Sequence, residues 1–379
     1  MKALVSWRPM NNTTTQTVKI MEAARQARAT GRVLVKLGID AHLSGLVVVE
    51  QMDEEGAKPA RKMSAEALVR SVKKHRESGH EVFTCYEAGP LGFGLHERLA
   101  MAGAHNVVVR PRTLDEYGQR LKTDRRDAAQ LASNLDRWVA GNSHALAAVA
   151  VPSAEEQAER TRGRQRMYLS RQRRRELQQL RGTALYHGIV LRGQWWRPRR
   201  WLELRPLFPD WLQPIAEETL ARVGLIDRQM AALEASLSAA APAQRPKGLG
   251  ALTSVLIERE IVDWQRFSNP RQVASYTGLV PRENSSGGRQ CQGAITKHGN
   301  PRLRTLLIEC AWRLLWYQPG YRPLKKWGPV LMDPQSSRAR RKKLLIALAR
   351  QWAVDLWRWR TGRVQLADLG LIPLAELAA

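Results

Sequence analysis

The most constraining feature of the sequence is a series of short apolar runs that alternate with amphipathic stretches over its first 140 residues. Four runs predict strands, at residues 32–39, 45–50, 81–87 and 106–110. Helical periodicity is found at residues 64–77, 91–102 and about 123–138. A hairpin followed by strands that alternate with helices predicts an α/β domain.

Acidic residues stand at the ends of these elements. Asp40 ends the first strand, Glu87 ends a later one, and Asp124 and Asp127 lie three residues apart where a helix begins. Residues three apart share a helix face, and neighbouring strands lie about 5 Å apart, so the four carboxylates are predicted to converge. A cation between them would offset their repulsion. Each residue alone also has a structural explanation, as a turn residue, a surface acid or a solvated helix start capped by Thr123 or Asp124.

Positive charge constrains the partner. The chain has 61 Lys and Arg against 35 Asp and Glu, a formal charge of +26. This excess favours nucleic acid first and an anionic membrane surface second. No apolar run of about 18 residues is present, so no membrane span is expected. The start lacks a signal-peptide core and resembles a loose leader, and Cys85, Cys291 and Cys310 fit neither a disulfide framework nor a zinc site, which favours the cytoplasm.

The middle of the chain, from Pro152, has a different composition. Residues 155–193 are rich in Arg and Gln, including Arg173 and Arg174, and form either a solvated helix face or a phosphate-binding surface. Residues 195–201 interleave Trp with Arg, which would stack on unpaired bases or pack a helix turn. A heptad-like apolar stripe at residues 223–237 predicts packing against a partner helix, within the chain or in a dimer.

A third part begins near residue 247 and contains a glycine-flanked loop with Ser285 and Ser286. Five basic residues lie close to this loop in sequence: Arg282, Arg289, Lys297, Arg302 and Arg304. A hydroxyl among cations suits phosphoryl transfer, because guanidinium groups stabilise the charge that develops on the phosphate. The alternative is a loop that contacts phosphate without reacting. Arg125 and Arg126, beside the acidic pair, are further candidates for nucleic-acid contact.

Short motifs in order along the chain carry a family resemblance. They are Gly38-Ile-Asp40, Tyr86-Glu-Ala-Gly89, Lys122-Thr-Asp-Arg-Arg-Asp-Ala128, Tyr276-Thr-Gly-Leu-Val-Pro281, Ser286-Gly287, Ile295-Thr-Lys-His-Gly-Asn300 and Leu303-Arg304. With these motifs the chain resembles the DEDD-motif transposases of the bridge-RNA-guided insertion sequences. It departs from the usual Pro-Gly-Ile-Gly pattern, which is replaced by Pro246-Lys-Gly-Leu-Gly250.

The resemblance implies a leader at residues 1–31 and a ribonuclease-H-like (RuvC-like) domain at 32–150. A helical coiled-coil segment at 151–242 and a mostly helical transposase domain at 243–379 would follow. Asp40, Glu87, Asp124 and Asp127 would hold Mg²⁺, and Ser286 would attack DNA, with Ser285 as the alternative nucleophile.

The implied partners are double-stranded donor and target DNA, a bridge RNA and further copies of the chain in a dimer or tetramer. The implied location is the bacterial nucleoid. Two other functions stay open from the residues alone: a Mg²⁺-dependent junction nuclease, motivated by the acids, and a non-enzymatic nucleic-acid-binding protein, motivated by the charge.

Overall fold

The computed structural model describes residues 12–89, 91–111, 123–284, 288 and 291–374. The chain divides into two units, residues 1–151 and 152–379. The elements of the first unit are α1 (Asn12–Ala29), β1 (Leu34–His42), β2 (Gly45–Met52), β3 (Arg61–Met63), α2 (Ala65–Glu77), β4 (Glu81–Glu87), α3 (Gly94–Met101), β5 (His105–Val109) and α4 (Asp124–Val139).

The first unit is organised around a five-stranded sheet in the order β3-β2-β1-β4-β5. β1 pairs antiparallel with β2 and parallel with β4, and β5 continues the parallel part. Helices cover both faces of this sheet, and alternating residues of each strand point to one face or the other. Val35, Leu37 and Ile39 pack in the apolar cluster that includes α2 and α3 residues, whereas α4 packs on the other face. The expectation of an α/β fold is confirmed for this part of the chain.

Residues 12–29 differ from the expected loose leader. They form α1, and Ile20, Ala24 and Ala27 are buried in one cluster with α4 residues such as Leu135. The spacing of these three residues places them on one helix face, a pattern that the polar residues around position 12 obscured. The later part of this segment, residues 20–27, is therefore packed in the first unit, and the leader at residues 1–31 stays a prediction.

The second unit is mainly helical. Its elements are α5 (Ala154–Tyr186), α6 (Pro198–Leu204), α7 (Leu212–Ala239), α8 (Ala251–Ile261), α9 (Pro270–Thr277), β6 (Pro281–Glu283), β7 (Gln292–Ile295), α10 (Pro301–Tyr317), α11 (Arg322–Met332) and α12 (Arg338–Arg360). Three short 3₁₀ turns also occur among the described residues, at Arg205–Leu207, Trp264–Arg266 and Ala367–Leu369. A helical second half is thereby confirmed.

α5 and α7 pack against each other through an apolar seam. Leu177, Leu180 and Ala184 of α5 share a buried cluster with Val223 of α7. The predicted stripe on α7 therefore has a partner helix within the same chain. Trp195 and Trp201 are buried in the same cluster, so these two indoles pack the fold and are not available for stacking on bases.

The remaining helices, α8 to α12, form the largest core cluster of the second unit. Trp352 and Trp357 of α12 are buried there, as expected for core tryptophans. β6 and β7 form a small antiparallel ribbon beside this bundle. Within the described part of the chain, no helix combines the length and apolar character needed to cross a membrane.

Candidate active site

Two of the acidic residues predicted from the sequence lie at the same end of neighbouring strands in the interior of the first unit's sheet. Asp40 lies near the end of β1, and Glu87 is the last residue of the neighbouring parallel strand β4. Their register continues from the pair Ile39 and Tyr86, so Asp40 and Glu87 are the next residues along the two strands. Both belong to the alternation that faces α4, because Gly38 of β1 contacts α4 and Cys85 of β4 donates a hydrogen bond to the Leu131 carbonyl.

Asp124 and Asp127 lie in the first turn of α4. The N-cap residue Thr123 makes no side-chain capping bond, although its carbonyl accepts hydrogen bonds from the Arg126 and Asp127 amides. The helix dipole favours negative charge at this end. Thr123 is thus the N-cap residue of α4, one of the two caps considered from the sequence, but it caps without a side-chain hydrogen bond.

A histidine joins this group. The His42 Nε2 atom lies 3.0 Å from Asp40 Oδ2 and 3.7 Å from Asp124 Oδ1. One ligand atom from each of Asp40, His42 and Asp124 lies within 4.8 Å of the other two. The Asp40 side chain is 17% exposed, against 63% for Asp124. Asp40 is therefore the shielded member of the group, whereas Asp124 and the 51% exposed His42 are open to solvent.

Close packing of α4 on β1 brings Asp124 to Asp40. A Cβ atom on Gly38 would stand 2.2 Å from the Ala132 nitrogen and 2.4 Å from the Ala128 carbonyl oxygen. Only glycine permits this approach of helix backbone to strand backbone. At the other end of α4, Asp136 forms an ion pair with the buried Lys36, whose ammonium group also donates to the Asp53 carbonyl. These contacts align α4 with the face of β1 that carries residues 36, 38 and 40.

Electrostatics at Asp40 favour a neutral carboxyl or an added cation. Burial raises the pKa of Asp40, His42 opposes the rise, and the negative charges of Asp124 and Asp127 add to it. Like charges that converge at a partly shielded site repel unless a cation offsets them. The donor atoms suit a divalent ion, because carboxylate oxygens bind hard cations and imidazole nitrogen is a common metal ligand. The residues present therefore fit a divalent metal.

Ser285, Ser286 and Arg289 lie outside the described residues. The chain on either side of them is the β6–β7 ribbon, in which Pro281 is opposite Ile295 and Glu283 is opposite Gln292. The Asn284 amide donates a 2.9 Å hydrogen bond to the Cys291 carbonyl at the end of this ribbon. The described flanks of the serine segment therefore belong to a hydrogen-bonded hairpin.

Two glycines join the ribbon to the helices beside it. Gly278 ends α9 in the left-handed conformation, and a Cβ on it would stand 2.8 Å from the His298 carbonyl. A Cβ on Gly299 would stand 2.5 Å from the Tyr276 carbonyl. The Tyr-Thr-Gly and Lys-His-Gly-Asn motifs therefore pack backbone against backbone, and the glycines are needed for that contact.

Asn300 connects this contact to a buried acid. Its side-chain oxygen accepts hydrogen bonds from the Arg302 and Leu303 amides and caps α10, while its Nδ2 donates to Glu260 Oε2 at 2.8 Å. Arg164 of α5 donates to Glu260 Oε1 at 3.2 Å. Burial raises the pKa of Glu260, but Arg164, Asn300 and Arg160 outweigh it, so the pKa lies below its ordinary value.

The predicted nucleic-acid-binding residues divide into two groups. Arg173 donates a 2.6 Å hydrogen bond to Asp227 and lies 5.1 Å over the Trp196 ring, and Arg304 donates to the Thr277 and Lys297 carbonyls. These two guanidinium groups are engaged within the fold. The other described candidates are exposed or half-buried: Arg125, Arg126, Arg174, Arg282, Lys297 and Arg302.

Sequence reasoning missed His42 and Glu260. His42 could have been found, since residues two apart on a strand share a face and Asp40 was already identified. Glu260 has no such local signal, because its partners Arg164 and Asn300 are 96 and 40 residues away.

Comparison with known proteins places the chain in a family. The profile of the transposase IS116/IS110/IS902 family matches residues 242–325. The putative transposase y4qE of Sinorhizobium fredii is 35% identical over 251 residues, which are 64% of this chain and 61% of that protein. The putative transposase y4rJ of the same organism is 32% identical over 300 residues, 72% of this chain and 75% of that protein.

A third relative is the transposase of insertion sequence element IS1111A from Coxiella burnetii. It is 27% identical over 67% of this chain and 71% of its own length. The class of protein is thus the insertion-sequence transposases. Within that class, the chain belongs to the IS116/IS110/IS902 family.

Proposed function

We propose that this protein is a DNA recombinase of an insertion sequence that cuts and rejoins DNA through a 5′-phosphoserine link. The observation that carries the proposal is the approach of Asp40 and Asp124, from β1 and α4, in a member of a transposase family. The two carboxylates repel each other, and a cation bound between them would offset that repulsion.

The first unit is proposed to be a ribonuclease-H-like (RuvC-like) catalytic domain at residues 32–150. Its strand order, with an antiparallel hairpin β1–β2 followed by parallel β4 and β5, supports this assignment. The coiled-coil segment at 151–242 and the transposase domain at 243–379 complete the proposed organisation.

Asp40, Glu87, Asp124 and Asp127 would hold Mg²⁺. When bound, the ion would neutralise charge on the scissile phosphate and on the departing 3′ oxygen. Ser286 would attack the phosphorus, so that the Oγ–P bond forms as the bond to the 3′ oxygen breaks. The phosphodiester energy stays in the serine ester, and a 3′ hydroxyl can later displace the serine without ATP.

The proposed partners are donor and target DNA duplexes and a bridge RNA encoded by the element, bound by a dimer or tetramer. The net charge of +26 supports a polyanionic partner. Exposed Arg125, Arg174, Arg282 and Lys297 are available for phosphate contact.

A covalent-adduct assay tests the proposal. The full chain is incubated with labelled DNA, Mg²⁺ and RNA transcribed from the sequence flanking its gene, and protein-linked DNA is detected on a denaturing gel. We expect a 5′ adduct with the wild type and with Ser285→Ala, and none with Ser286→Ala. Asp40→Asn should also abolish it, whereas Glu54→Gln, an exposed acid in the same unit, should not.

Other outcomes would support the competing functions. An adduct with Ser286→Ala but none with Ser285→Ala would assign the nucleophile to Ser285. Free 5′-phosphate ends without protein attached would indicate a junction nuclease. Binding without cleavage, unchanged by Asp124→Asn and abolished by high salt, would indicate a non-enzymatic nucleic-acid-binding protein.

A further inference from the structure

His42 extends an otherwise acidic site with a nitrogen donor. In an octahedral metal shell with bonds of about 2.1 Å, adjacent ligand atoms are about 3 Å apart and opposite ones about 4.2 Å apart. The His42 Nε2 distances of 3.0 Å to Asp40 and 3.7 Å to Asp124 fall within this range. The third separation, between the Asp40 and Asp124 donor atoms, lies within 4.8 Å. All three donors can therefore bind one ion if the two carboxylates rotate to meet it.

The position of His42 on β1 directs its side chain toward Asp40 and Asp124. Asp40 and His42 are two residues apart on β1, so both side chains leave the same face of the strand. The pair His42–Gly45 closes the β1–β2 hairpin. The imidazole is 51% exposed and has solvent beside it, yet its Nε2 atom faces the two carboxylates.

We propose that His42 is a direct ligand of the metal in this site and biases the site toward Mn²⁺ over Mg²⁺. The proposal rests on the metal site of the proposed function. Mg²⁺ strongly prefers an all-oxygen shell and gives up its water reluctantly, whereas first-row transition ions accept imidazole nitrogen. Among these ions Mn²⁺ shares the affinity of Mg²⁺ for carboxylates, so one nitrogen in a set of oxygens should disfavour Mn²⁺ less than Mg²⁺.

Electron paramagnetic resonance of the metal-free full chain titrated with Mn²⁺ tests this role without measuring activity. The free-ion signal gives the affinity, and electron spin echo modulation detects a coordinated ¹⁴N nucleus. We expect ¹⁴N modulation in the wild type and in His144→Ala, an exposed histidine of the same unit, but not in His42→Ala. Competition with Mg²⁺ should show that His42→Ala loses about 10-fold in Mn²⁺ affinity and much less in Mg²⁺ affinity.

Asp40→Asn separates the failure of this proposal from the failure of the metal site. If Mn²⁺ binds and Asp40→Asn abolishes binding, but the wild type has no His42-dependent ¹⁴N modulation, His42 is not a ligand and the carboxylate site still stands. If neither Mn²⁺ nor Mg²⁺ binds the wild type, the metal site itself is wrong. Equal loss of both affinities in His42→Ala would overturn the selectivity.

Discussion

Asp40 in the first unit and Glu260 in the second are both shielded carboxylates, but their neighbours differ in sign. Asp40 lies near Asp124 and Asp127, and only His42 opposes their charge. Glu260 accepts hydrogen bonds from Arg164 and Asn300 and lies near Arg160. Accordingly, the pKa of Asp40 is raised and that of Glu260 is lowered.

The sign of the neighbouring charges distinguishes a candidate binding site, around Asp40, from a structural joint, the contacts of Glu260 with Arg160, Arg164 and Asn300. Glu260 has its counter-charges within the fold, so it joins α5, α8 and the start of α10 and needs no ligand. Asp40 instead has two like charges beside it, from Asp124 and Asp127, and a bound cation would offset their repulsion. A buried carboxylate whose pKa is raised by burial and further by other carboxylates is therefore a better guide to a metal site than a buried carboxylate paired with arginines.

Removal of Glu260 should have the largest effect. Glu260→Ala leaves the largely shielded Arg160 and the more exposed Arg164 without their carboxylate and Asn300 without its acceptor. We therefore expect a loss of about 3 kcal/mol in the free energy of unfolding. Urea denaturation followed by circular dichroism measures it. Glu234→Ala, which breaks the more exposed ion pair with Arg166, should cost less than about 1 kcal/mol. Equal losses in the two variants would contradict the structural role of Glu260.

Divalent cations should stabilise the first unit through Asp40. At 100 times the dissociation constant, a bound ion adds about 2.7 kcal/mol to the free energy of unfolding. The melting temperature of the wild type and of Glu54→Gln should rise with Mn²⁺ or Mg²⁺, and that of Asp40→Asn should not. A rise in Asp40→Asn equal to that of the wild type would place the ion elsewhere.

Asp40→Asn should stabilise the metal-free protein. The neutral amide avoids the cost of burying a charge and removes repulsion with Asp124 and Asp127, and these effects together outweigh the lost attraction to His42. We therefore expect a gain of up to about 1 kcal/mol at neutral pH in the presence of a chelator. Thermal unfolding measures this gain. A lower melting temperature would mean that the pair Asp40–His42 stabilises the fold more than the neighbouring acids destabilise it.

Acidification should reduce the stability loss of Glu260→Ala and the stability gain of Asp40→Asn. The stabilisation from Glu260 is present above its unfolded-state pKa and is lost as pH falls through its lower native pKa. The destabilisation from Asp40 begins as pH rises through its unfolded-state pKa and is complete above its raised native pKa. In denaturation curves from pH 3 to 8, the difference between Glu260→Ala and the wild type should therefore shrink toward the acidic end, and the difference between Asp40→Asn and the wild type should vanish there. An Asp40→Asn difference that grows on acidification would contradict the raised pKa.

The two centres also differ in how far the sequence could predict them. Strand alternation and helix spacing predict that Asp40, Glu87 and Asp124 lie near the same end of the sheet. Local backbone geometry sets the direction in which each of these side chains points. The same alternation includes His42, which a search for acids alone overlooked. The joint at Glu260 depends on residues from α5 and from the start of α10, and local periodicity does not encode which distant helices meet. The engagement of Arg173 and Arg304 within the fold was hidden for the same reason.

The hydrogen bonds of Asn300 have a consequence for chemical ageing. Asparagine side chains usually deamidate when the backbone nitrogen of the next residue attacks the side-chain carbonyl, a route that needs an N–H group at that residue. The next residue is Pro301, whose nitrogen carries no hydrogen. Loss of the amide would place a carboxylate against Glu260 and remove a donor from the joint. The Asn-Pro sequence thus blocks this route of deamidation for the side-chain amide that both caps α10 and binds Glu260.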